Sequence, residues 1–81
     1  MQKHTRTYFK YFGYGIDSII ICEICGKDKS VDIHHIDGRI GKQANNIENL
    51  IACCRKCHNA AHDGKITKEV LHIIHNLNLK K

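Results

Sequence analysis

Cys54-Arg55-Lys56-Cys57-His58-Asn59-Ala60-Ala61-His62 is the stretch on which the fold turns. It opens with a Cys-x-x-Cys pair, and a second pair of the same spacing, Cys22-Glu23-Ile24-Cys25, lies upstream. Two such pairs can offer four thiolates in a tetrahedron around one zinc ion. Buried apolar cysteines would not explain two pairs at identical spacing. Cys53 abuts Cys54 and reads as a packing residue turned the other way, into the core. The same stretch also matches the Cys-x-x-Cys-His pattern of covalent haem attachment. That alternative leaves Cys22 and Cys25 without purpose, requires export, and finds only Met1 as a methionine for the second axial position.

Composition explains why a metal staple is needed. The chain has 81 residues, read as one domain over 1–81, with 42% hydrophobic residues, 6% aromatic, and no tryptophan. A core of that size typically contributes only about 3–5 kcal/mol. A structural zinc contributes roughly 10–16 kcal/mol of folding free energy in small peptide systems. Five cysteines and seven histidines provide the donors. The N-terminus has no apolar signal region, and Ile19-Ile20-Ile21 is too short to span a bilayer. The expectation is a cytoplasmic protein with reduced thiols and no membrane association. The formal charge of +5 favours an anionic partner, most often nucleic acid, although many small basic domains are merely soluble.

Residues 2–14 mix basic and aromatic side chains, within an N-terminal segment placed at 1–15. Residues 16–21 have strand character and lead into the first cysteine pair. The alternation in Val31 to Ile36 predicts a short strand, Asp37-Gly38 opens a loop to about Asn46, and Leu50 to Cys53 reads as the returning strand. Cys54 to Asp63 reads as a helix closed by Gly64. Thr67 caps a last helix, over 66–78, whose apolar stripe is Ile66, Val70, Leu71, Ile73, Ile74 and Leu77. His4 is read as a surface residue, and His72 and His75 as lying on the polar side of that helix.

Histidine placement adds chemistry to this order. His58 and His62 are four apart on a helix, so both rings emerge on one face, a natural pair for a divalent cation. His34 and His35 are neighbours on a strand beside a glycine-bearing loop, where one can bind metal while the other addresses substrate. Closing a zinc site with the four cysteines would bring these histidines together.

Three blocks now carry a family resemblance: Asp32-Ile33-His34-His35-Ile36-Asp37-Gly38, Asn45-Asn46-Ile47-Glu48-Asn49-Leu50-Ile51, and Cys54 to His58 with His62. Together they resemble the HNH endonuclease motif over residues 22–62, with His35, Asn49 and His58 at the name-giving positions. The basic-aromatic opening is similar to that of small phage-type members. The resemblance implies an α+β, ββα-metal fold (core 22–63) with two short antiparallel strands, a loop between them and a helix packed across. It implies DNA phosphodiester hydrolysis, with His34, His58 and His62 on one catalytic cation (Mg2+, Mn2+, Ni2+ or Zn2+) and His35 as general base. The bacterial toxin DNases of this superfamily use such a histidine triad. Asn49 would either fix the loop carrying the base through backbone bonds or bind metal directly, the first being favoured when both His58 and His62 are present.

The chemistry asks for the same groups. An imidazole, with an unperturbed pKa of roughly 6.5, suits deprotonation of water near neutral pH. Three neutral imidazole ligands leave positions open for phosphate and water. Asp32, two before His34, is either a carboxylate orienting a metal-bound imidazole or a solvated acid. Arg39, Lys42, Arg55, Lys56, Lys3, Arg6 and Lys10 are the candidate DNA contacts, each of which alone could be a solvated charge. The chain leaves no room for a dedicated specificity domain, so specificity is expected to be low or supplied by a protein partner. A bacterial or phage-infected cell is the expected setting. The competing class is a zinc-ordered nucleic-acid-binding module without catalysis.

Overall fold

The buried apolar run Leu50 to Cys53 is the centre about which two four-residue strands come together. β1 (Asp32–His35) pairs antiparallel with β2 (Leu50–Cys53), with Asp32 opposite Cys53 and His35 opposite Leu50. Every residue of β2 is buried, and its side chains serve three different clusters. Leu50 and Ala52 join Tyr8 and Ile20, with Phe9, Phe12, Tyr14, Ile33 and Ile47 packed around them. Ile51 faces the other way, onto Ile36 and Leu71. Cys53 lies with Cys22, Cys54 and Cys57, fully buried as expected of a packing residue.

The computed structural model describes residues 2–81. Met1, the one methionine the haem alternative could turn to, lies outside them. Among the described residues, three helices complete the architecture: α1 (Lys3–Phe12), α2 (Arg55–His62) and α3 (Lys68–Leu79). A single 3-10 turn at Ile47–Asn49 leads into β2. The order strand, loop, strand, helix is the expected ββα arrangement, in an α+β fold with the C-terminal helix added. α3 begins as its sequence indicates, with the Thr67 hydroxyl accepting the Val70 N–H at 3.3 Å. α2 ends at His62, and Gly64 follows with φ of 77°.

Three expectations are corrected, and the N-terminal segment, left without an assigned element, gains one. The N-terminal segment is a helix: His4, Tyr8 and Phe12, four apart, turn inward, and Gly13 at φ 74° donates to the Phe9 carbonyl. Residues 16–21 form no strand, only an isolated antiparallel bridge between Ile21 and Lys29 that closes the first cysteine knuckle. The apolar stripe of α3 is half used, because Leu71 is buried with Ile66 and Ile74 against it, while Val70, Ile73 and Leu77 are exposed. His4 and His75 are not surface residues: both are buried, His75 completely.

His75 has a physical reason to be inside. Its Nδ1 lies 2.8 Å from Glu23 Oε1 and its Nε2 2.6 Å from the Ile47 carbonyl. Both neighbours are acceptors, so both ring nitrogens donate and the imidazole is the cation of a buried ion pair. Glu23 also accepts from the Tyr8 hydroxyl at 2.6 Å, the Ala52 N–H at 2.9 Å and Asn78 Nδ2 at 2.8 Å. One carboxylate thus ties α1, the first knuckle, β2 and α3 together. Burial opposes ionisation of both partners, but their mutual hydrogen bond and the other donors override it: Glu23 is held below the usual carboxylate range and His75 above the usual imidazole range.

Candidate active site

The knuckle Cys22–Cys25 is shaped by its own backbone. Gly26 N–H donates to the Cys22 carbonyl at 2.9 Å, and Gly26 takes φ of 68°, a conformation glycine adopts without strain. The Cys25 N–H points at Cys22 Sγ at 3.5 Å. Glu23 N–H donates to the Ala52 carbonyl, which fastens the knuckle beside β2. Cys54 and Cys57 flank the first turn of α2. The four sulfurs of Cys22, Cys25, Cys54 and Cys57 all lie within 4.8 Å of one another, a donor set that could hold zinc. Backbone donors of Asp28 and Lys27 pull the exposed Cys25 thiol down to about 7, whereas burial pushes Cys57 up and Cys53 up to about 12. Cys53 stands outside the cluster, with its sulfur 3.7 Å from the Asp32 carbonyl.

A second donor set forms where β1 meets α2. One nitrogen each from His34, His58 and His62 lies within 4.8 Å of the others. His58 Nε2 and His62 Nε2 are 3.0 Å apart; at a metal–nitrogen distance of about 2.0–2.1 Å, two ligands of one ion stand at about that separation. Burial, followed by the neighbouring His58 and His62, pushes His34 down to about 4, so its ring is neutral and available as a ligand at neutral pH. Asp32 Oδ2 sits 2.9 Å from His58 Nδ1. That carboxylate accepts the Nδ1 hydrogen and turns the Nε2 lone pair toward His62 and His34. Arg55 lies 3.9 Å from the same oxygen.

His35 lies on the opposite side of β1 from the Asp32 carboxylate and is buried. Its Nε2 is 3.0 Å from Asn45 Oδ1, and its ring packs on His4 with centroids 4.5 Å apart. Its buried Nδ1 has no hydrogen-bond partner among the described residues. His34, His35, His58 and His62 nevertheless line one cleft of about 270 Å³, together with Arg39. The buried Asn49 side chain bonds to loop backbone: the Asp37 N–H donates to its Oδ1 at 2.7 Å, and its Nδ2 donates to Gly38 O at 3.1 Å and Ala44 O at 2.8 Å. It therefore clasps both ends of the loop that follows His35.

The basic side chains divide among regions. Arg39 borders the histidine cleft. Lys3, Lys10 and Lys42 line a separate groove of about 790 Å³ between α1 and the loop, which also contains Asn45. Arg55 and Lys56 are exposed on the first turn of α2, and Arg6 is on the exposed side of α1. Sequence reasoning missed Asn45, His4 and the Glu23–His75 pair. The four-residue spacing of His4, Tyr8 and Phe12 ahead of Gly13 was a usable signal for the helix that carries His4, whereas nothing local marks Asn45.

A two-stranded sheet crossed by a helix, with a four-cysteine cluster beside a three-histidine cluster, defines a small ββα domain with two donor sets that could hold metal. The HNH endonuclease family profile matches residues 22–64, more than half of the chain, and the chain belongs to that family. Comparison with curated proteins and with solved structures yields no match. Family membership makes its function nuclease-related, with nucleic acid as the substrate class. No described helix is long and apolar enough to cross a membrane.

Proposed function

We propose that the chain is a metal-dependent endonuclease that hydrolyses DNA phosphodiester bonds. The observation that carries this reading is a cleft holding three convergent imidazole donors and, beside them, a fourth imidazole with an unpartnered Nδ1. His34, His58 and His62 would hold one divalent cation, which when bound supplies positive charge for the non-bridging and leaving oxygens of the phosphate. An all-imidazole set suits Zn2+ or Ni2+ better than Mg2+, which prefers carboxylate oxygens. The four cysteines would hold a separate structural Zn2+.

His35 acts as the general base, taking a proton from the attacking water at Nδ1. A buried nitrogen without a partner costs about 1–3 kcal/mol, and accepting from that water removes the cost. Asp32 orients His58, and Asn49 holds the loop rather than the metal. Arg39 meets the phosphate at the cleft, while Lys3, Lys10 and Lys42 track the backbone along their groove, with Arg6, Arg55 and Lys56 extending the positive surface.

The test is incubation of the purified protein with supercoiled plasmid across divalent cations, with EDTA as control. Cation-dependent nicking or linearisation that EDTA abolishes is the expected result. DNA that is bound but left intact with every cation would instead identify a zinc-ordered nucleic-acid-binding module.

A further inference from the structure

Asn45 has no role in that scheme, yet among the described residues it is the side chain hydrogen-bonded to the His35 ring. We propose that Asn45 is a positioning residue: its side-chain carbonyl accepts the Nε2–H of His35 and holds the imidazole in the tautomer that leaves Nδ1 bare. The inference rests on His35 being the base.

An amide oxygen only accepts, so the nitrogen 3.0 Å from Asn45 Oδ1 carries the ring hydrogen. A neutral imidazole has one such hydrogen, and Nδ1 is therefore the lone pair. With Asn45 turned over, its NH2 would donate to Nε2 and the hydrogen would move to Nδ1. That would leave a buried N–H with no acceptor among the described residues. A base in that tautomer would also present a hydrogen, not a lone pair, to the water.

The fold holds Asn45 at this spot through its neighbour. Asn49 Nδ2 donates to the carbonyl of Ala44, and the same side chain bonds Asp37 N–H and Gly38 O just beyond His35. Asn49 thereby fixes the peptide that presents Asn45 and the backbone that follows His35 in one clasp. The His4 ring, packed at 4.5 Å, limits rotation of His35. An effect of Asn49 on cleavage would thus pass through Asn45 to the ring.

The test has two arms on the full chain with its structural zinc retained. In the first, two-bond 1H–15N correlations of 15N-histidine-labelled protein report the His35 tautomer, without DNA or a second cation, at mildly alkaline pH. Wild type should show Nε2–H, Asn45→Leu should lose that preference, and Asn45→Asp, which keeps an acceptor, should retain it. In the second arm, Asn45→Leu should lower kcat about 10–100-fold, the usual effect of removing a hydrogen-bond partner behind a functional histidine, with KM little changed. Asn45→Asp should recover most of kcat. An Nδ1–H tautomer in wild type, or Asn45→Leu with unchanged tautomer or unchanged kcat, would overturn the proposal. The base assignment fails separately, when His35→Ala cuts at the wild-type rate, because the first arm is read without cleavage.

Discussion

At the scale of single residues, the histidines of the cleft have different partners, and the roles proposed for them differ accordingly. His58 faces a carboxylate at 2.9 Å and His35 faces an amide oxygen at 3.0 Å. Loss of His35 should therefore separate from loss of His58. His35→Ala is expected to keep zinc content and DNA binding while cleavage falls by about 10²–10⁴-fold, the range for a positioned general base. His58→Ala should instead weaken affinity for the second cation, measured by calorimetric titration, and excess cation should partly restore cleavage. Asp32→Asn should mimic a weaker His58 loss, lowering cation affinity by about 10–100-fold. Wild-type affinity in Asp32→Asn would remove Asp32 from the site. In the sequence, helical spacing marks His58 only beside His62; His35 and His58 become joint candidates through the paired cysteines that draw their segments together and through the family resemblance. Asn45 was not legible there, since its contact depends on the path of a loop with no periodicity.

At the scale of elements, the cysteine knuckles and the cap of α3 make contrasting demands. Cys25→Ser and Cys57→Ser should each lose the structural zinc and unfold the domain, as followed by metal analysis and circular dichroism. Cys53→Ala should retain zinc and cost only about 0.5–3 kcal/mol in denaturant unfolding. Equal behaviour of Cys53 and Cys57 would contradict the assignment. The Thr67 hydroxyl satisfies one free N–H of α3, so Thr67→Ala should cost about 0.5–2 kcal/mol with cleavage unchanged. β2 was readable as a strand because Leu50 to Cys53 are continuously apolar. Its burial on both faces comes from α1 on one side and α3 on the other.

At the scale of the whole molecule, Glu23 and His75 join segments that are 52 residues apart. The raised pKa of His75 fixes the sign of a pH effect. A histidine whose folded pKa lies above its unfolded value of 6.5 contributes its full stability below that value and loses it as pH rises through the folded pKa. Glu23 and Tyr8 face the ring, and the Glu48 charge adds to the effect. The melting temperature of wild type should therefore fall on the alkaline side of the imidazole range, and His75→Gln should flatten that fall. His75→Ala leaves a buried carboxylate without its cation and should cost about 3–5 kcal/mol. A wild-type melting temperature that rises through that window would contradict the ion pair. The proposed binding to DNA would likewise be a whole-surface property: several phosphate contacts would make affinity fall steeply with salt. A salt-independent dissociation constant would count against a backbone-directed partner.

Spacing along the chain determined the paired cysteines, the strand–loop–strand–helix order and the face shared by His58 and His62. Those features follow from local rules, the reach of a Cys-x-x-Cys turn and the 3.6-residue helical period. The tertiary structure alone decided that His75 is an interior cation, that His4 packs on His35, and that Asn45 meets the His35 ring. Each of these depends on which distant group fills the space beside it. A buried imidazolium is stable only where acceptors from other segments converge on it, and no local pattern in the chain records that convergence.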